Sequence, residues 1–231
     1  MSAPRGERLV VAVFAVLVSV LSAVPAGAHE IPASAATVTL QSPGEFFGLG
    51  VAHILLGVDH LLFVFGLLLL VDGRVKALVQ TVTAFTLAHS LTLAAATLGT
   101  IRVPSAPLNA AIAASILFLG VEVAKARRGA GGLSWRYPWA MAFGFGLLHG
   151  LGFATGLSTL GLAGRDVVGA LLFFNLGVEA GQLGFILLCL ALARALAVLE
   201  TPRPAWALAL PGFVVGVAGA YWTIRQTAIL W

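Results

Sequence analysis

The chain has 231 residues, of which 60% are hydrophobic and only 10% charged, and its mean hydropathy is +1.03. Such values exclude an ordinary water-soluble domain and indicate a chain whose solvent is lipid. The net charge of +4 comes from Lys and Arg gathered in short polar breaks, so it reads as membrane topology and not as a nucleic-acid surface.

The first segment carries Arg5 and Arg8, an apolar core from Leu9 to Val24, a helix-breaking Pro25 and the small-residue pattern Ala26-Gly27-Ala28. Together these predict a secretory signal peptide over residues 1–28, cleaved after Ala28 to leave His29 as the new N-terminus. An uncleaved first transmembrane helix is the alternative, although the apolar run is near the short limit for a span. Residues 29–45 read as a short extracytoplasmic tail, and residues 46–231 as one membrane domain.

Long apolar runs then predict six helices: Phe46 to Val71, Val75 to Gly99, Pro107 to Ala124, Pro138 to Leu162, Val167 to Ala193, and Ala205 to Ile224. Between them lie turn-forming breaks, among them Asp72-Gly73, Pro104 with Pro107, and Gly129 with Gly131 and Gly132. The expected fold class is all-α, a polytopic membrane bundle of six transmembrane helices with both mature termini outside. That topology puts Arg74, Lys76, Lys125, Arg127, Arg128, Arg136, Arg194 and Arg203 inside, against Arg102, Arg165 and Arg225 outside, as the positive-inside rule requires. Trp135, Trp139 and Trp222 fall near helix ends, where interfacial anchors belong. The single cysteine, Cys189, forms no intramolecular disulfide, and soft-metal chemistry lacks ligands.

Against this apolar background the stretch HILLGVDHLLF, His53 to Phe63, stands out. An aspartate at the centre of a membrane helix costs roughly 2.5–3.5 kcal/mol on insertion scales, so its retention calls for a function or a partner. Counting residues along each run puts Asp59 and His60, His89, His149 and Glu179 at similar depth on four different spans. His53, seven residues before His60, is expected about two turns outward on nearly the same helix face. Each group alone has a structural reading as a hydrogen-bonding partner between helices. Jointly they predict a metal-binding pocket, because intramembrane ionisable groups usually face a cavity on an ion pathway.

Further candidates surround this set. Thr86 and Ser90 flank His89, and Asn175 and Gln182 recur with Glu179 at helical spacing, making one face of the fifth span polar. Glu122 reads either as a gate ligand or as a carboxylate reaching Lys125 or Arg127. His29 with a freed amine, next to Glu30, is a candidate external chelate or simply a cleavage-site residue. Small residues such as Gly57, Gly66, Gly144, Gly146, Gly150, Gly152, Gly156, Gly177 and Gly181 suit close helix packing or a loosened backbone beside a cation. A faint repeat pairs AHS at 88–90 with LGVE at 119–122, and LHG at 148–150 with LGVE at 176–179.

Imidazole with carboxylate and no soft sulfur suits nickel, cobalt, zinc, iron(II) or manganese and argues against copper(I). No Ser-His-Asp set, phosphate loop or paired-metal motif is present, so transport is simpler than catalysis and needs no permanently bound cofactor. The segments GVDHLLF, FTLAHSLTL, FGLLHGLGFA and FNLGVEAGQL, after a signal peptide ending before HE, resemble the second branch of the HupE/UreJ family. The resemblance implies a permease in which His53, Asp59 and His60 match a motif associated with nickel uptake, with His149 and Glu179 next and His89 in a signature of the branch. LLHGLGFA departs from the nickel-associated members in lacking a second histidine, which leaves cobalt and zinc open as cargo.

The expected function is therefore a secondary transporter of a divalent transition metal, nickel first, across a bacterial cytoplasmic membrane. The expected partners are the bilayer and the ion, with a homo-oligomer left open and no nucleic acid. The alternative is a membrane-embedded metalloprotein or accessory subunit that keeps its metal.

Overall fold

A computed structural model describes residues 42–158, 167–197 and 205–230. The signal-peptide reading, His29 and most of the tail lie outside these residues. Within them the chain is entirely helical, with α1 (Pro43–Leu56), α2 (Val58–Val71), α3 (Val75–Thr97), α4 (Ser105–Arg127), α5 (Leu133–Arg136), α6 (Pro138–Ser158), α7 (Val167–Ala197) and α8 (Ala205–Ala228).

α1 starts with a capping box in which the Ser42 hydroxyl accepts from the Glu45 N–H while the Glu45 carboxylate accepts from the Ser42 N–H. Pro at the first helical position, where no intrahelical donor is needed, completes the start. The first expected span is not one helix. It breaks at Gly57 (φ −79°, ψ 94°), and α1 and α2 meet there at 73°. Gly57 N–H still donates to His53 O (3.0 Å), and Leu61 N–H to Gly57 O (2.9 Å), so the turn is hydrogen-bonded on both sides. α2 ends at Asp72, which adopts the left-handed conformation (φ 48°) and precedes Gly73 at φ 75°. Both residue types tolerate that region, which explains the sharp reversal into α3.

Every residue of α2 is buried. A helix apolar on all sides belongs in the centre of a bundle, and α2 touches each of α1, α3, α4, α6, α7 and α8. Around it the outer helices form three closely packed pairs: α3 with α6, α4 with α8, and α1 with α7. Each pair depends on a glycine couple four residues apart. On α6, a Cβ at Gly146 would lie 2.5 Å from Phe85 O, and one at Gly150 would strike His89 O and Thr92 Oγ1. On α7, Gly177 abuts Phe47 O and Gly181 faces Val51 and Ile54. On α8, Gly212 faces Val123, and Gly216 lies against Gly120. Small residues at such spacing let backbones approach, and in lipid that contact replaces the hydrophobic effect as the source of association.

The contact order also gives direction. Gly146 and Gly150 meet Phe85 and His89 in rising order, so α3 and α6 are parallel; Gly177 and Gly181 meet Phe47 and Ile54 likewise, so α1 and α7 are parallel. α4 and α8 are antiparallel, since Gly120 meets Gly216 while Gly219 meets Leu117. At one end, Arg74 donates from Nη2 to Trp135 O (3.0 Å) and stacks on the Trp135 ring at 4.7 Å, tying the α2–α3 turn to α5.

α3, α4 and Val167–Ala195 of α7 are each long and apolar enough to cross a membrane, and the bent pair α1–α2 adds a fourth candidate span. These apolar helices suit a multi-pass membrane protein. Gly146→Ala is expected to destabilise the bundle by about 1–3 kcal/mol through overpacking against Phe85. Gly144→Ala, where a Cβ meets nothing within 4 Å, should be neutral or stabilising. Thermal unfolding of the two variants in detergent checks the contrast.

Candidate metal centre

The break at Gly57 does what helical periodicity alone does not. In one straight helix His53 would stand about 10 Å from His60 along the axis. The bend instead brings their rings to 4.5 Å between centroids, edge to face. The expectation that His53 stands two turns outward of His60 is therefore corrected: the two rings are neighbours. His89 of α3 joins them at 5.9 Å from His53 and 6.2 Å from His60, and His149 of α6 lies 5.0 Å from His60. Four helices thus deliver four imidazoles to one place. Relative exposure is 8% for His53, 2% for His60, 0% for His89 and 1% for His149.

Ligand atoms of Asp59, His60 and His149 lie within 4.8 Å of one another. An ion bound at roughly 2.0–2.1 Å from imidazole nitrogen would draw these three closer. Asp59 sits in the first turn of α2, where the helix dipole favours a carboxylate. Its Oδ1 lies 3.1 Å from His60 Nδ1, so an ionised Asp59 takes the Nδ1 proton as its hydrogen bond and leaves the His60 lone pair on Nε2. Gly57 is required by the same contact, since a Cβ there would stand 2.8 Å from His60 Nδ1 and 2.7 Å from His53 O.

His149 is held by a residue that the sequence did not single out. Ser115, in the middle of α4 and 1% exposed, donates to Ile112 O (2.6 Å) and lies 3.2 Å from His149 Nε2. A hydroxyl has one hydrogen, and here it is spent on the carbonyl. Ser115 Oγ therefore accepts from His149 Nε2–H, and Nδ1 keeps the lone pair that a metal needs. The signal was a lone serine inside an apolar span, a usual source of interhelical hydrogen bonds.

His89 is the least satisfied of the set: neither ring nitrogen has a hydrogen-bond partner among the described residues. Thr86 and Ser90, which flank it in the sequence, turn elsewhere. Ser90 Oγ donates to Thr86 O (2.7 Å), and Thr86 Oγ1 lies 2.9 Å from Gln182 Oε1. A buried imidazole without partners calls for a ligand or water to meet it. Aromatic rings wall the cluster, with Phe153 4.0 Å from His53 and stacked on Phe174, and Phe63 and Phe85 at 5.1 and 5.4 Å from His149.

The remaining candidates have hydrogen-bond partners of their own. Glu179 Oε1 accepts from Thr83 Oγ1 at 3.0 Å, and Gln182 faces Thr86. Asn175 Nδ2 donates to Leu171 O at 2.8 Å. Glu122, 6% exposed, takes the Lys125 ammonium at 2.8 Å.

The fold and this site describe a helical protein with three to four candidate membrane spans and a buried centre lined by imidazole nitrogens and a carboxylate. The family model described as HupE / UreJ protein matches residues 29–226, and the chain belongs to the HupE/UreJ family. That family is generally associated with nickel or cobalt transport or with urease and hydrogenase maturation, and is not a known enzyme family. No match was found among curated proteins or among solved structures.

Replacing Ser115 by Ala removes the acceptor for His149 Nε2–H. Nitrogen-15 NMR of labelled protein is expected to show the Nε2–H tautomer of His149 in the parent and a shift toward Nδ1–H in Ser115→Ala.

Proposed function

We propose that the protein is a secondary permease that moves a divalent transition metal, nickel first, with cobalt or zinc as alternatives, across the bacterial cytoplasmic membrane. The observation that carries this reading is the buried meeting of His53, Asp59, His60, His89 and His149 at a break between two half-helices. Broken helices at the heart of a bundle are a recurrent way to bind and release an ion, because helix ends and a bent backbone tolerate small rearrangements. Neutral imidazoles with one carboxylate suit borderline divalent ions, and Asp59 supplies the negative charge that such a cation needs in low dielectric.

The packing directions suit six alternating spans, and the charge pattern of the loops is what assigns both mature termini to the outside. If the bent pair α1–α2 counts as the first span, alternation makes spans one and five parallel, two and four parallel, and three and six antiparallel. These are the directions of α1 with α7, α3 with α6, and α4 with α8. The Arg74–Trp135 contact joins two connections assigned to the basic, cytoplasmic side. The signal peptide and any metal capture by His29 belong to the same proposal.

One observation favours the second reading, a protein that retains its ion: three of the four imidazoles are at most 2% exposed, so the pocket is closed in this conformation. Proteoliposomes separate the two. The permease shows saturable entry of one ion from a divalent panel, abolished in His60→Ala. A metalloprotein holds stoichiometric metal through chelator washing and shows no entry. Asp59→Asn should fold normally and lose metal affinity by roughly 10- to 100-fold, the usual cost of losing the carboxylate that orients a ligating imidazole. Misfolding of Asp59→Asn would point instead to an accessory subunit in which these groups only join helices.

A further inference from the structure

The imidazole cluster is bracketed by aromatic rings along α6. Phe145 stands four residues before His149 and Phe153 four residues after it, each about 6 Å away along the axis. On the first side Phe63 of α2 lies 5.2 Å from Phe85 and 5.8 Å from Phe145, and Phe63 and Phe85 also face His149. On the second side Phe153 is stacked on Phe174 of α7, with centroids 5.1 Å apart and 8° between the rings. Both rings of that stack lie against His53, at 4.0 and 5.6 Å, and both are buried. In the proposed topology α6 starts at the cytoplasmic side. Phe153 and Phe174 are then outward of the imidazoles, and Phe63, Phe85 and Phe145 inward.

The two layers are held differently. Phe85 and Phe145 sit on α3 and α6, which Gly146 lets pack closely at Phe85, and Phe63 sits on the enclosed α2. Phe153 and Phe174 belong to different pairs, α3 with α6 and α1 with α7, and among the described residues α6 and α7 are not themselves a packed pair. The stack is therefore a contact between two helix pairs. The polar ties between the same pairs, Thr83 to Glu179 at 3.0 Å and Thr86 to Gln182 at 2.9 Å, lie five and eight residues beyond Phe174 on α7. Rocking one pair on the other about those bonds parts the stacked rings and leaves the inner layer together.

We propose that the Phe153–Phe174 stack is the outer gate of the metal pocket, through which the ion reaches His53 and then the imidazoles behind it. An apolar constriction excludes water, and a hydrated divalent ion does not cross it until the rings separate. Aromatic rings suit the task because their mutual attraction is modest and they carry no charge that would hold the cargo at the entrance. His53, which touches both rings, is the most exposed of the four imidazoles, as the first ligand behind a gate should be. The stack's part in alternating access rests on the permease reading. Its role as the route to the cluster does not.

The test uses the full-length protein in detergent with cobalt(II), whose absorption changes on binding imidazole, read by stopped flow. Loading is followed after mixing with cobalt(II), and release after mixing the loaded protein with EDTA. A gate that opens equally well with and without the ion changes both rates together and leaves affinity alone. Phe153→Ala and Phe174→Ala should each speed loading and release about tenfold, the order expected for one lost aromatic pair, at unchanged equilibrium affinity. Phe153→Leu keeps apolar volume without the stacked face; it should move both rates the same way by less, and it serves if an alanine variant fails to fold. Faster release without faster loading would overturn the proposal, because the rings would then only be packing that holds His53. So would unchanged rates in all three variants. A parent that loads cobalt but does not carry it into proteoliposomes removes the permease reading, and the loading and release rates still decide the gate.

Discussion

The hydrogen-bonded break at Gly57 is the constraint on which the rest of the structure depends. Within a bilayer, backbone groups must be satisfied by protein, so a bent helix is tolerated only where other helices enclose it. Gly57 and the whole of α2 are buried, and six helices touch α2. The enclosure pays for the bend, and the bend sets His53 of one half-helix against Asp59 and His60 of the next. No side chain beyond hydrogen fits at the corner, because the backbone there runs against His60 Nδ1.

Holding six helices around a buried one cannot rely on apolar burial, since lipid tails are as apolar as leucine. Close van der Waals packing takes over, and the three glycine couples on α6, α7 and α8 allow it. Interhelical hydrogen bonds add to this: Ser115 to His149, Thr83 to Glu179 and Thr86 to Gln182. Such bonds average about 0.6 kcal/mol in a membrane, too little to explain keeping histidines, a glutamate and a glutamine inside.

Within the pocket, two imidazoles are prepared in different ways. His60 is oriented by a carboxylate on the neighbouring residue and His149 by a serine hydroxyl on another helix, so their lone pairs sit on Nε2 and Nδ1 respectively. This division makes the site depend on α2, α4 and α6 together. A shift of α4 relative to α6 would release His149 while leaving the Asp59–His60 pair intact.

The amino-acid sequence by itself determined the membrane class, the positions of the helical runs and most of the polar candidates, because hydropathy and charge act locally and are written residue by residue. It also determined the turn at Asp72-Gly73, where the required backbone conformation selects the residue types. Tertiary structure decided which candidates meet. Periodicity spaced His53 two turns from His60 and grouped Glu179 with the imidazoles by depth, yet a 73° bend joined the first two, and α7 turned Glu179 toward Thr83. Ser115 and Thr83 were no more conspicuous than other hydroxyls in the chain until packing set them beside His149 and Glu179. Depth along a helix can be counted from sequence, but azimuth and bending depend on what the neighbouring helices allow.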